Sequence, residues 1–279
     1  MPVSEHVLVI GIDGVRWDTL LSEATPHLDS LAIRGFAAPV RVNDDGPTIS
    51  GPAWATIVTG ALPSRHGILG NDFHGHHLAE FPDVVSLARD QRPELASWVG
   101  AAWLPLVSED SGGPMFAGGG WFPEGPQAHT GDDWEMADAA VTAACAAFLT
   151  EHDGSQGSLV LCYLGGVDEV GHHHGVGELY RDFVRRSDAR VGALLSAVAA
   201  RDGEDWTVLV VTDHGHVDAG GHGGDSVEER TAWIIAAGPA VPTVAPEKLE
   251  QADIAGHIWK VFGLQGPDGA IGTALGARR

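Results

Sequence analysis

Thr207-Val208-Leu209-Val210-Val211-Thr212-Asp213-His214-Gly215 is the stretch that decides the fold. Its aliphatic, β-branched run shows no alternation with polar residues, the pattern of a strand covered on both faces. It ends on a carboxylate, an imidazole and a glycine. Two more segments repeat the form: residues 7–12 run into Asp13-Gly14, and residues 159–164 run into Gly165-Gly166-Val167-Asp168. A fourth apolar run, residues 232–237, stops at Gly238-Pro239. Amphipathic stretches at 25–34, 132–151, 177–200 and 250–262 separate them. Strands alternating with helices predict an α/β fold, a largely parallel central sheet flanked by helices. In such sheets the binding crevice lies beyond the carboxyl ends of the strands, where Asp13, Asp168 and Asp213 fall.

The 279 residues, 44% of them hydrophobic, are expected to form one domain spanning 1–279. With 38 acidic against 16 basic residues the formal net charge is -22. That surface repels nucleic acid polymers and anionic membranes, so neither is an expected partner. An anionic substrate would have to find its positive charge in bound cations. The two cysteines, Cys145 and Cys162, sit in a helical and a strand pattern and read as core residues. No apolar run approaches the roughly 18 residues that span a bilayer, and the chain shows no basic, then apolar, leader pattern. The expected location is cytoplasmic. Residues 97–126 break the pattern with Trp98, Trp103, Phe116, Trp121 and Phe122 among many Gly and Pro residues. They form either a long packed loop or a lid, a small aromatic, glycine-rich specificity insert over the crevice.

Asp168 and His172 are four residues apart, a spacing that lets both reach one metal from a helical turn. Asp213-His214 supplies a second such pair, and His222 follows in Gly220-Gly221-His222-Gly223-Gly224, whose glycines permit a tight return. With Asp13 the set reaches six protein ligands, too many for one ion that takes about four. Two divalent ions are expected, zinc first, with manganese or iron compatible. His173, His174, His216 and the cluster His74, His76 and His77 are expected to be solvated or to stand behind the ligands. In Pro47-Thr48-Ile49-Ser50-Gly51-Pro52, Pro52 stands where a first helical residue would be, which makes Ser50 a helix N-cap, a nucleophile, or both.

In this order, Gly11-Ile12-Asp13-Gly14, Pro47-Thr48-Ile49-Ser50, His66-Gly67-Ile68-Leu69-Gly70-Asn71, residues 168–172, Asp213-His214-Gly215 and His222-Gly223 resemble the alkaline phosphatase superfamily. The likeness is strongest to its nucleotide pyrophosphatase/phosphodiesterase branch and covers residues 6–92 and 158–240. It implies an alkaline-phosphatase-like core with one zinc on Asp168, His172 and His222. The other would lie on Asp13, Asp213 and His214, with Ser50 against it as nucleophile and metal ligand. Asn71 would donate to a non-bridging phosphate oxygen; taken alone, Gly70-Asn71 is also a common turn pair. The implied activity is phosphodiester or pyrophosphate hydrolysis of a small phosphate-containing substrate, through a phosphoserine on Ser50 that water then cleaves. A phosphomonoesterase or a carbon–phosphorus hydrolase would use the same residues, and a metal-binding domain without catalysis would keep the ligands alone.

The sequence departs from that branch at instructive places. Branch members usually carry Thr at the position of Ser50 and a base-stacking aromatic next to it, where Gly51 stands; Trp54 or a tryptophan of 97–126 would have to replace that platform. His214 and His222 are eight residues apart, where many relatives have a long insertion. Ser50-Gly51-Pro52 is similar to the sulfatase modification motif, but Trp54 occupies the position of its arginine. For a monoester the nearby cations would be Arg16 and Arg65.

Overall fold

A computed structural model describes residues 5–124 and 130–276. Six strands form one sheet: β1 (Glu5–Ile12), β2 (Phe36–Arg41), β3 (Ala96–Ala101), β4 (Ser158–Leu164), β5 (Asp205–Val211) and β6 (Thr231–Ala237), in spatial order β2-β6-β5-β1-β4-β3. Among the described residues the helices are α1 (Trp17–Ser22), α2 (Pro26–Arg34), α3 (Ser50–Thr59), α4 (Pro63–His66), α5 (Val84–Gln91), α6 (Gly131–Glu151), α7 (Gly166–His174), α8 (Glu178–Ala199), α9 (Val227–Arg230) and α10 (Asp253–Phe262).

The central strand β1 is buried on both sides, and its side chains divide the core. Val7 and Val9 point into a layer with Trp54 and Ile57 of α3, Val84 of α5 and Ile258 of α10. Leu8, Ile10 and Ile12 point the other way, against Leu28 of α2, Cys145 of α6 and Phe183 of α8. Cys145 and Cys162 are both free and buried, as expected for core residues. No helix among the described residues is long and apolar enough to cross a membrane.

The sheet is largely parallel, as expected, with two features that the apolar runs did not announce. The parallel part is β3-β4-β1-β5; β6 runs antiparallel to β5 and β2 antiparallel to β6. An apolar run shows that a strand is buried but not its direction. The direction matters here, because the chain leaves β5 and enters β6 at the same edge of the sheet without a crossover helix. That is why eight residues can separate His214 from His222. The second feature concerns 97–126, whose first residues belong to β3. Trp121 pairs back onto this edge strand, with its amide 2.8 Å from the Val99 carbonyl. Residues 125 and 126 of that segment lie outside the described residues.

Candidate active site

Three neighbouring parallel strands, β5, β1 and β4, deliver three carboxylates to one place. Asp13 follows β1 directly, Asp213 comes two residues after β5, and Asp168 sits in the first turn of α7. Asp13 is fully buried, and its Oδ2 accepts from Trp54 Nε1 at 2.7 Å and from the Tyr163 hydroxyl at 2.5 Å. Its Oδ1 has no hydrogen-bond partner, nor has Asp213 Oδ2. His214 Nδ1 donates to the Gly215 carbonyl at 3.1 Å, so Nε2 carries the lone pair. That nitrogen faces Asp213 Oδ2 at 3.2 Å, Asp13 Oδ1 at 3.6 Å and Ser50 Oγ at 3.2 Å. A lone pair and two orphaned carboxylate oxygens converging in a dry interior repel one another unless a cation lies among them. The residues therefore fit a divalent ion.

The second group is assembled by α7 and the loop before β6. One helical turn brings His172 Nε2 to 3.4 Å from Asp168 Oδ2. His222 Nδ1 donates to the Thr48 carbonyl at 2.6 Å, which turns its Nε2 lone pair inward, 2.8 Å from His172 Nε2 and 3.5 Å from Asp168 Oδ1. The return of that loop requires positive φ at Gly220, Gly221 and Gly223, at 91°, 86° and 111°. All six residues expected as ligands are thus brought close together; His214 and His216 also lie within reach of Asp168 and His222, so the two clusters share members.

His216 was expected to be solvated or to stand behind the ligands, and it does the latter. Its ring is fully buried, Nδ1 accepts from the Gly221 amide at 3.1 Å, and the Nε2 proton points at Asp168 Oδ1, 2.8 Å away. Trp54 and Tyr163 do the same for Asp13. Sequence reasoning gave Trp54 and Tyr163 no such role, since an indole and a phenol read as core side chains. The only available signal for His216 was its place two residues after His214.

The titration of these groups follows from burial and from each other. Burial first, then Asp168, pushes the Asp213 carboxyl up to about 8; Asp13 is likewise raised by burial and by Asp213 and Asp168. Burial also opposes ionisation of Asp168, but the hydrogen bond from His216 holds it well below the usual carboxylate range. Burial lowers both His214 and His222, keeping them neutral as metal ligands must be.

Ser50 opens α3. Its expected capping role goes unfilled: the N-cap is Ile49, Ser50 is the first helical residue, Pro52 is the third, and no side chain caps this end. The hydroxyl is therefore not held by the backbone and faces His214 instead. Asn71 Oδ1 accepts from the Gly51 amide at 2.9 Å, which orients the side chain and leaves its amide protons free. A Cβ on Gly51 would lie 2.2 Å from the Gly70 carbonyl oxygen. Glycine is therefore required beside the nucleophile, and the aromatic common in the branch has no room.

Ser50 and Asn71 open onto a cavity of about 370 Å³, walled by Trp103, Trp134, Tyr163, Asp110, Glu169 and the start of α7. Trp103, Leu104, Pro105, Asp110 and Ser111 all come from 97–126, so this segment forms one wall of the crevice. Trp54 is buried against Asp13 and cannot serve as a stacking platform; Trp103 is the tryptophan of that segment that lines the cavity. Arg16 is tied to Asp18 and Asp218, and Arg65 lies over Phe81. Neither reaches the cavity. His74 pairs with exposed Asp72, and His77 hydrogen-bonds the Arg65 carbonyl, away from both ligand groups.

The fold is that of alkaline-phosphatase-like hydrolases, and the site gathers Asp and His residues able to hold a metal. A sequence profile of the type I phosphodiesterase / nucleotide pyrophosphatase family matches residues 7–237, and the chain belongs to that family. It is 25% identical over 292 residues to GPI ethanolamine phosphate transferase 2 of Aspergillus fumigatus, covering 98% of this chain and 37% of the relative. Against the human ectonucleotide pyrophosphatase/phosphodiesterase family member 7 the identity is 26% over 242 residues, covering 80% and 50%. The chain thus spans about a third to a half of these curated relatives. Two solved structures share the fold. A putative sulfatase of Bacteroides thetaiotaomicron has a TM-score of 0.75 at 13% identity, covering 98% of this chain and 74% of the other. Murine ectonucleotide pyrophosphatase/phosphodiesterase 5 in complex with AMP has 0.68 at 17%, covering 98% and 97%.

Proposed function

We propose that this chain hydrolyses phosphate diesters by way of a covalent adduct in which Ser50 Oγ carries the phosphoryl group with its remaining ester arm, with two divalent ions, zinc first among them, as cofactors. The observation that carries the reading is the surroundings of Ser50 Oγ: uncapped, at a helix N-terminus, 3.2 Å from the His214 lone pair and beside the orphaned oxygens of Asp13 and Asp213. One ion would be held by Asp168, His172 and His222, the other by Asp13, Asp213 and His214. When bound, such ions supply Lewis acidity and lower the pKa of a coordinated hydroxyl.

The protein's own groups supply the rest. Ser50 Oγ forms the bond to phosphorus as the bond to the leaving alkoxide breaks, and a water oxygen later replaces Ser50. The free amide protons of Asn71 meet charge building on a non-bridging oxygen, and the Gly51 amide keeps them in place. Trp54 and Tyr163 hold one oxygen of Asp13 so that the other faces Ser50 and His214.

A diester is favoured over a monoester by charge. Two divalent ions against three carboxylates leave about one net positive charge, which ionised Ser50 cancels. Among the described residues lining the cavity there is no Lys or Arg to meet the extra charge of a monoester. The test is to assay zinc-reconstituted protein with aryl phosphate diesters, monoesters and phosphonates, beside Ser50→Ala. Diester turnover should dominate, and acid quenching of the wild type should trap Ser50 carrying the phosphoryl group with its remaining ester arm. Preference for monoesters or phosphonates overturns the diester assignment; full activity of Ser50→Ala overturns the covalent step.

A further inference from the structure

Residues 42–49, between β2 and α3, lead into Ser50 without belonging to a helix or a strand. The loop that carries His222 is what holds them. Thr48 is fully buried and makes three hydrogen bonds to consecutive residues of that loop. Its carbonyl accepts from His222 Nδ1 at 2.6 Å, and its hydroxyl accepts from the Gly223 amide at 2.9 Å. The same hydroxyl donates to the Gly224 carbonyl at 2.9 Å. One residue thus decides which nitrogen of His222 faces the ligand group and where the backbone beyond it runs.

The contact extends to both sides of Thr48. The Val42 amide donates to the Arg230 carbonyl at 2.9 Å, and Arg230 Nη1 donates to the Asn43 and Gly46 carbonyls at 3.1 Å each. From the far side Glu229 accepts from the Gly224 amide at 2.7 Å, within the capping box of α9. The His222 loop therefore has two supports, and one of them is the segment that ends in Ser50. A staple that served loop stability alone could fall on any residue of the turn. These bonds fall on a ligand histidine and the two residues after it. Gly223 sits at φ 111°, a conformation open to glycine, and in it the amide meets the Thr48 hydroxyl.

We propose that Thr48 is a positioning residue that couples the two halves of the site. Its carbonyl and hydroxyl hold His222 as a ligand and, through the same bonds, hold the segment that presents Ser50. The proposal rests on the two-ion reading above, and its test reads metal affinity, so that it and the catalytic reading fail separately. Groups that support a ligand in this way are worth about 10–100-fold in metal affinity. Thr48→Val keeps the shape and the carbonyl and removes the hydroxyl, whereas Thr48→Ser keeps the hydroxyl. In chelator competition, Thr48→Val should lower one of the two zinc affinities about tenfold, and Thr48→Ser should stay close to wild type. The loss should vanish in a His222→Ala background and persist in His214→Ala, because only contacting residues are coupled. Both affinities falling alike, a loss that persists without His222, or no loss at all overturns the proposal and leaves Thr48 a plain loop staple. The wild type provides a test in which no variant has to fold. On zinc loading, residues 42–49, which contain none of the expected ligands, should gain hydrogen-exchange protection together with 222–230. Protection gained by 222–230 alone overturns the coupling. If zinc affinity responds as stated while no diester is hydrolysed, the coupling stands and the catalytic reading falls.

Discussion

The two ends of the sheet carry polar clusters of similar composition and opposite character. At the amino ends of the strands, His6 on β1 pairs in register with Ser158 on β4 and Trp206 on β5. Ser158 Oγ stands 3.1 Å from His6 Nδ1 and 2.7 Å from His152 Nε2, while Glu204 lies 3.7 Å from His6. A serine, two histidines and a glutamate within reach of one another look like a nucleophile and its bases. Every proton there has a destination. His152 Nδ1 donates to the Phe148 carbonyl, its Nε2 accepts from Ser158, and Ser158 accepts from His6. Ser158 is fully buried. At the carboxyl ends, Ser50 caps nothing, and one oxygen each of Asp13 and Asp213 has no donor. Polar residues are common at both ends. What marks the carboxyl end as a site is that its charged groups converge, face a cavity and lack partners.

The sharpest test of that contrast treats the two serines alike. Ser50→Ala should lower kcat/KM for an aryl diester on the order of 10³-fold or more, the scale on which lost nucleophiles are felt. Its thermal stability should stay close to wild type, because the hydroxyl caps nothing. A comparable loss of activity in Ser158→Ala would erase the distinction between the ends.

His257 tests whether a missing partner is enough by itself. Both its ring nitrogens lack a hydrogen bond, yet it sits on α10 inside the core, and burial lowers its pKa to about 4. A folded-state pKa below the unfolded value means that the unfolded chain binds the proton first. Its stabilising contribution is present in full above pH 6.5 and is lost as pH falls towards 4. The metal-free protein should lose up to about 3 kcal/mol from this residue over that window. His257→Leu should flatten the profile by that amount in urea titrations at pH 7.5 and 4.5, with unchanged turnover when reloaded with zinc. Lost turnover would mean that His257 belongs to the site after all.

Much of this contrast was legible in the sequence at the carboxyl end and almost none at the amino end. Asp13, Asp168 and Asp213 announce themselves because a both-faces-buried strand is an unambiguous apolar run and a carboxylate at its end is conspicuous. Residues 36–41 and 96–101 were missed as strands because edge strands are only partly buried; Pro39 interrupts the first apolar pattern, and Ser97 and Gly100 the second. The antiparallel course of β6 was invisible because composition carries no direction. Trp54 and Tyr163 were missed as positioning groups because hydrogen bonds across 41 and 150 residues leave no local spacing to find.

His216 measures how far the ligand groups depend on what stands behind them. Its Nε2 proton fixes Asp168 Oδ1, and the Gly221 amide fixes the tautomer. Removing such a support costs about 10–100-fold in metal affinity in comparable sites. His216→Ala should show that loss in a chelator competition with zinc, and His216→Gln, which can still donate, should recover part of it. An unchanged zinc affinity in both would mean that Asp168 needs no support and that burial alone orients it.

The smallest effect is the most diagnostic of the amino end. Ser158→Ala removes one hydroxyl and strands two nitrogens, the lone pair of His152 Nε2 and the proton of His6 Nδ1. Leaving buried partners unsatisfied costs about 1–3 kcal/mol. His6 keeps Glu204 nearby at 3.7 Å and a stacked Trp206 at 4.9 Å, so the loss should fall at the lower end of that range. The urea midpoint should drop while kcat/KM for the diester stays within about twofold, as expected for a site on the opposite edge of the sheet. Adding His152→Phe removes one stranded nitrogen and keeps a ring against Phe148, which it stacks at 4.5 Å. The double variant should regain part of the lost stability. If it is instead the sum of two independent losses, the hydroxyl is not satisfying His152, and the closed hydrogen-bond chain assigned to this end is wrong.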